Sequence, residues 1–345
     1  MTKATLDLRS SPHLRSGASV ERIMLNVVLA LLPVTGFAIH AFGLAAVASL
    51  TTAVGVCVLT EHVLCRAAGR RSTVGDWSAV ITGLLFGLTL PPSLPLWMVA
   101  VGSVVAIAVA KHAFGGLGRN CFNPALVARA FLQAAFPIPM TTWLDFGAAD
   151  RFVRVPSALL TPPLQQPAYD AITGATPLAG WKFDGVATPV DQLVLGSTSG
   201  SAGETCAVLI LIGGAWLVAR NMMNWRIPAV ILATVALASL GLHALDPGAH
   251  AGPSFMLASG GLMLGAVFMA TDMVGSPMTH AGCVVYGVLI GAVVVAIRSF
   301  GGMPEGVMYA ILIGNAATPL IDRLLPTRPY GTRGGRARAK EEEGA

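Results

Sequence analysis

The chain has 345 residues, of which 54% are hydrophobic and only 11% charged, against roughly 25% charged residues in an ordinary soluble domain. With a mean hydropathy of +0.70, this composition excludes a large soluble core and points to an all-α polytopic membrane protein. The formal net charge of +5 does not point to nucleic acid, because the basic residues are scattered at the ends of apolar runs, where cytoplasmic anchoring charges belong.

Residues 1–22 form a polar N-terminal segment without the apolar stretch of a cleavable signal, so insertion is expected to start at the first true span. Arg22 to Phe42 is the first apolar run and Leu44 to Cys65 the second. A basic loop with Arg66, Arg70 and Arg71 leads to a third run, opened by Asp76-Trp77 and cut short by Pro91-Pro92. Pro95 to Ala110 is the fourth. Lys111, His112 and Arg119 flank the loop Gly115-Gly116-Leu117-Gly118. Asn123-Pro124 then begins a short helix to Phe136, with proline in the first turn, where its missing N–H costs nothing. After a polar interruption at 138–203 come five further runs: Glu204 to Ala219, Ile227 to Leu245, Phe255 to Thr271, Ala281 to Ile297 and Val307 to Leu325. The expected organisation is about ten spans in two membrane halves, 23–137 and 204–325, followed by a basic and acidic tail at 326–345. The shorter runs are candidates for broken or half-helices.

With the N-terminus inside, all but four of the 22 lysines and arginines fall on inside segments; the exceptions are Arg151, Arg154, Lys182 and, at a boundary, Arg298. Both termini are therefore expected in the cytoplasm, and the 138–203 loop on the outer, periplasmic face of a bacterial inner membrane. Gly83-Leu84-Leu85-Phe86-Gly87 resembles Gly261-Leu262-Met263-Leu264-Gly265, and the two stretches run in opposite directions in this topology. Two inverted repeats of this kind place a pathway near the membrane midplane; close helix contact is the plainer use of the glycines.

Ionisable side chains at membrane depth are expensive. Glu61 and His62 lie near the cytoplasmic end of the second run and are read as snorkelling. Asp76 is read as a helix cap. Glu204 follows the Gly/Ser stretch 196–203 and has two readings: a first-turn acid favoured by the helix dipole, or a member of a loop whose amides cradle a phosphate or flavin. Thr271-Asp272 precedes Gly275, Ser276 and Pro277, which suggests a broken helix with oxygen ligands for a hard cation. Glu204 and Asp272 are thus the candidate ion-path residues. Five cysteines (Cys57, Cys65, Cys121, Cys206, Cys283) form no CxxC pair and read as small buried residues rather than metal ligands. No nucleophile–base–acid set and no His pair with metal spacing occurs, so any redox chemistry would come from a cofactor.

Inside the long loop, Asp170-Ala171-Ile172-Thr173-Gly174-Ala175-Thr176 is followed by Pro177. Spacing alone reads this as a turn. Context changes the reading. The Gly115 to Ala125 stretch, the Gly196 to Thr205 run, Asn224-Trp225-Arg226-Ile227-Pro228, Gly260 to Asp272, and Phe300 to Gly306 through Asn315 to Asp322 together resemble the D-type member of Rnf ion-translocating electron-transport complexes. The B-type member of Na⁺-translocating NADH:quinone reductase is of the same superfamily; chain length and the absence of a long N-terminal extension favour the Rnf type. The resemblance implies FMN joined by a phosphoester to threonine in a D-x-x-[S/T]-G-A-T motif by a flavin transferase. This carries over to Thr176 as the attachment site, with Asp170, Thr173, Gly174 and Ala175 completing the motif. It further implies electron transfer between ferredoxin and NAD⁺ coupled to Na⁺ or H⁺ movement, partner subunits of the A, B, C, E and G types, and a non-covalent riboflavin in some relatives. Departures from the family pattern are Thr173 for the commoner serine, Cys121 for proline, and Met273 and Gly275 for proline and threonine. Ferredoxin and NAD⁺ are expected to bind elsewhere, because the chain has no dinucleotide fingerprint and no iron–sulfur cysteine pattern. A cofactor-free secondary transporter and a purely structural membrane subunit are the competing readings.

Overall fold

The computed structural model describes residues 19–70, 72–163, 165, 175–204 and 206–326, and among these every regular element is a helix. Four helices are long and apolar enough to cross a membrane: α1 (Val20–Phe42), α2 (Leu44–Ala67), and two that recur below as α10 (Arg226–Leu245) and α13 (His280–Phe300). At 20 to 24 residues each, they are about 30–36 Å long, enough for a hydrocarbon layer of roughly 30 Å. Ser19 caps α1 by accepting the Arg22 amide at 3.2 Å, and Gly43 closes the α1–α2 turn at φ 59°.

The other helices are shorter. They are α3 (Ser78–Leu88), α4 (Leu96–Val104), α5 (Pro124–Ala135), α6 (Pro137–Met140), α7 (Pro177–Ala179), α8 (Val190–Leu195), α9 (Ala207–Ala219), α11 (Pro253–Ala258), α12 (Leu262–Leu264) and α14 (Val307–Leu324). Three of them run on into wider turns with i→i+5 bonding: α4 through Val105–His112, α7 through Gly180–Asp184 and α12 through Gly265–Met269. The Ala113 amide accordingly reaches the Ala108 carbonyl, and the Ala270 amide the Gly265 carbonyl. Asn123 caps α5 by accepting the Ala125 amide at 3.0 Å, with Pro124 at the first position, as the sequence leads one to expect.

The third and eighth apolar runs are both interrupted. At 11 residues, α3 is about 16 Å long, half of what a span requires, and its C-terminal carbonyls lie in buried surroundings. They are met by a distant segment: the Gly203 amide donates to the Leu88 carbonyl at 2.7 Å and the Ala202 amide to the Leu90 carbonyl at 3.2 Å. In the eighth run, Gly260 breaks the chain between α11 and α12 at φ 64°, and two charged side chains finish the broken ends. Arg298 of α13 donates to the Met256 carbonyl at 2.6 Å and the Ser259 carbonyl at 3.0 Å. Glu305 accepts the Gly261 amide at 3.1 Å and pairs with Arg298 at 3.0 Å. A cation therefore sits at the carbonyl end of α11 and an anion at the amide end of α12, the arrangement that helix dipoles favour.

Small residues set the closest helix contacts. On α13, a Cβ at Gly287 would lie 2.9 Å from Val230 Cβ, and one at Gly291 2.7 Å from Thr234 Cβ, so the four-residue glycine spacing lets α13 lie directly on α10. Asn315 of α14 bonds the fully buried Tyr286 hydroxyl at 2.7 Å; with its carboxamide oxygen towards α5 it accepts the Asn123 amide at 3.0 Å. The Asn123 side chain in turn donates to the Met269 carbonyl at 3.3 Å. The start of α5 is thereby tied to α12, α13 and α14.

Replacing Arg298 by Met would leave Glu305 without its counter-charge and two helix-end carbonyls without a donor. Thermal unfolding in detergent is expected to show a loss of roughly 3–5 kcal/mol, partly recovered in Arg298→Met/Glu305→Gln. Wild-type stability of the single variant would show that the pair does not hold the break.

Candidate functional site

Thr176 ends the heptapeptide and begins α7. Its backbone is extended (φ −67°, ψ 152°), and its Oγ1 accepts the Ala179 amide at 3.2 Å, with Pro177 at the first helical position. The turn expected over residues 170–176 lies mostly outside the described residues; Thr176 itself caps a helix start. Ala175 is exposed and Thr176 half-buried, whereas Asp170, Thr173 and Gly174 lie outside the described residues.

Three anchors fix α7 and the wide turn after it (Gly180–Asp184) against the broken run. Leu178 is buried and packs on Gly260, where a Cβ would come within 2.7 Å of Leu178 Cδ1. Trp181 faces Phe255 of α11 with ring centroids 6.0 Å apart. Lys182 Nζ donates to the carbonyls of Arg298 at 3.0 Å and Met303 at 2.9 Å, at the end of α13. Burial lowers the pKa of this ammonium below its ordinary value. Thr176 is consequently positioned by the same elements that finish the α11–α12 break.

Thr176 and Ala175 line a cavity of about 530 Å³. Its apolar and aromatic walls include Trp143, Phe183, Met303 and Met308, and its polar side includes Thr198, Ser199, Arg129, Glu204 and Glu305. Arg129 of α5 pairs with Glu204 at 2.9 Å, with side-chain exposures of 11% and 9%. Glu204 rests against the break, since a Cβ on Gly261 would lie 2.6 Å from its Oε1. Neither sequence reading of Glu204 survives whole. It precedes α9 instead of occupying its first turn, and the Ala202 and Gly203 amides are spent on the carbonyls of Leu90 and Leu88. Thr198, Ser199 and Gly200 do line the cavity, and Ser199 donates to Asp145 at 3.3 Å.

Asp272, the second ion-path candidate, lines a different cavity of about 130 Å³ together with Asn120, Asn123, Ser78 and Lys111. It accepts the Val274 amide at 3.2 Å and the Asn120 carboxamide at 3.4 Å. The segment at Asp272 is the connection from the wide turn after α12 to α13, and the interruption within the run lies upstream, at Gly260. Glu61 does not snorkel. Its side chain is 1% exposed and both its oxygens accept from Lys111, at 2.8 and 2.7 Å, while Lys111 also donates to Ser78 at 2.6 Å. Asp76 is not the N-cap of α3, a position Trp77 holds in a left-handed conformation; from the turn before it, Asp76 accepts the Ser78 amide at 2.8 Å. Sequence reasoning missed Arg129 and Lys111 as site-forming residues by counting them among anchoring charges, set Arg298 aside as a boundary exception, and assigned no role to Glu305. The available signal was the presence of opposite charges inside or beside apolar runs, which at membrane depth must find one another.

A model of the family described as NQR2, RnfD, RnfE matches residues 7–331. The chain is similar to the D-type component of the proton-translocating ferredoxin:NAD(+) oxidoreductase complex of Clostridium ljungdahlii, 39% identical over 96% of this chain and 98% of the relative. It is also similar to the D-type component of the Na(+)-translocating ferredoxin:NAD(+) oxidoreductase complex of Acetobacterium woodii, 42% identical over 96% and 97%. A third relative is the D-type component of the ion-translocating oxidoreductase complex of Stutzerimonas stutzeri, 41% identical over 91% and 93%.

At Gly260 the left-handed backbone and the Glu305 carboxylate both exclude a side chain. Gly260→Ala is expected to lower the unfolding free energy by more than about 1–2 kcal/mol, the cost of the backbone conformation alone. Gly252→Ala, which meets nothing within 4 Å, is the control and should stay within about 0.5 kcal/mol of wild type. Equal stability of the two variants would remove Gly260 as the determinant of the break.

Proposed function

The chain belongs to the NQR2, RnfD, RnfE family, and on that premise we propose that it is the D-type membrane component of an ion-translocating ferredoxin:NAD⁺ oxidoreductase complex, carrying FMN as a phosphoester on Thr176. The observation that carries the cofactor assignment is the placement of Thr176 on the wall of the 530 Å³ cavity, at the end of a matching D-x-x-T-G-A-T motif. The residues present fit the group. Trp143, Phe183 and Met303 offer apolar surface to a planar ring, and the Arg129 guanidinium offers positive charge beside it. FMN, when bound, supplies one- and two-electron redox chemistry that no side chain of this protein provides.

The chain's own contribution is positional and electrostatic. Thr176 holds the attachment oxygen at a helix start pinned by Leu178, Trp181 and Lys182. Ala175 keeps the approach to it free of side-chain bulk. Arg129 and Glu204 present a compensated pair to the cavity, so a change of charge there is felt by Glu204 and, through Gly261, by the broken helix. Asp170 and Thr173 are the residues a flavin transferase would read, and Gly174 shares with Ala175 the role of keeping the approach clear. Glu204 and Asp272, on separate cavities, are the proposed ion-path carboxylates. The two relatives named for different ions are almost equally identical to this chain, so overall similarity does not select Na⁺ or H⁺.

The proposed topology is about ten spans in a bacterial inner membrane, counting half-helices, with two inverted halves and both termini cytoplasmic. The charge distribution along the sequence supports this orientation. Other members of the complex would supply the ferredoxin and NAD⁺ sites.

Expressed together with a flavin transferase, the full-length chain is expected to give a band that fluoresces after denaturing electrophoresis. Thr176→Ala should abolish that fluorescence and Thr176→Ser should retain it. A dark wild-type band, or a bright Thr176→Ala band, would overturn the attachment site. A reporter near residue 168 is expected to label from the periplasm and one after residue 333 is not; the reverse pattern would invert the proposed orientation.

A further inference from the structure

We propose that Glu61, Cys65 and His112 form a binding site for a soft divalent cation, of which Zn²⁺ is the representative, at the junction of α2 with the wide turn that ends α4. Glu61 and Cys65 are four residues apart and so share one face of α2; His112 closes Val105–His112. One ligand atom from each of the three lies within 4.8 Å of the other two. Tetrahedral zinc with bonds of about 2.0–2.3 Å separates its ligand atoms by roughly 3.3–3.8 Å, so the three need to close by only about 1 Å. Thiolate, imidazole and carboxylate together are a donor set that favours zinc over hard cations such as Mg²⁺.

A second observation points to a ligand. His112 Nε2 is buried and has no hydrogen-bond partner, and it lies 3.8 Å from Glu61 Oε1, too far for a bond. A buried imidazole nitrogen left unpaired is costly, and a metal ion between it, Glu61 and Cys65 would satisfy it. The Cys65 thiolate, its proton leaving to solvent, cancels one of the two charges that Zn²⁺ brings, and the Glu61 carboxylate is shared between the metal and Lys111, which remains on the second Glu61 oxygen as an orienting donor; the cluster with Lys111 then carries a single positive charge. The site has an entry. Thr73, which is exposed, is the residue that covers it, with its Oγ1 bonded to Glu61 and 3.5 Å from Cys65 Sγ.

This inference is independent of the flavin assignment, and the test keeps the two apart. Co²⁺ titrated into the full-length chain in detergent is expected to bind one equivalent, give a thiolate-to-cobalt charge-transfer absorption, and be displaced by Zn²⁺. Cys65→Ser should lose that absorption. His112→Gln and Glu61→Gln should weaken Zn²⁺ binding by about tenfold or more. Cys121→Ser, which changes the exposed cysteine, and Thr176→Ala should bind like wild type; circular dichroism verifies that each variant is folded. Absence of saturable binding to the wild-type chain, or a charge-transfer band that persists in folded Cys65→Ser, would overturn the site.

Discussion

A helix that stops inside an apolar environment leaves backbone carbonyls on one side of the break and amides on the other, with no water to receive them. The Arg298–Glu305 pair answers both at once, because its cation reaches the Met256 and Ser259 carbonyls and its anion reaches the Gly261 amide. Burying two charges is not in itself stabilising. Here the pair replaces hydrogen bonds that the chain cannot otherwise make, and the break at Gly260 becomes a defined geometry. The α3 break is finished differently, by the amides of Ala202 and Gly203.

Those two repairs bring the candidate site together. The Gly/Ser stretch that finishes α3 ends in Glu204, which lies against Gly261 and pairs with Arg129. The residues that finish the second break also anchor the loop: Lys182 bonds the Arg298 and Met303 carbonyls, and Leu178 packs on Gly260. Thr176 is therefore placed by the helix break itself, though the two are far apart in sequence. An alteration of charge in the cavity would act on Glu204 and Glu305, both in contact with the break, which is a physical route by which the chemistry proposed for Thr176 and the state of the helices would be linked.

Among the described residues, three ion pairs between Glu and Lys or Arg recur through the molecule: Glu61–Lys111, Arg129–Glu204 and Arg298–Glu305. Each is compensated locally, so its net electrostatic cost is moderated, and each joins segments distant in sequence or flanking a turn. In a membrane protein such groups are expensive enough that retention argues for a use. The first pair borders the cavity that holds Asp272 as well as the proposed Zn²⁺ site; the other two border the cavity that holds Thr176.

Composition and local pattern determined a good deal unaided: an all-helical membrane chain, the long apolar helices, the Asn123-Pro124 helix start, and the motif that ends at Thr176. These are legible because periodicity, capping chemistry and motif spacing act over a few residues. Tertiary structure alone decided which charges meet. Arg129 looks like an anchoring residue in sequence, Arg298 like a boundary exception and Glu61 like a snorkelling residue, because the partner of each lies on another element or beyond a turn. The same holds for Glu204, whose loop has the composition of a phosphate cradle but spends its amides on the end of α3. Sequence specified the ionisable groups; only the folded chain, in which unpaired charge and unbonded backbone are both costly, assigned them to one another.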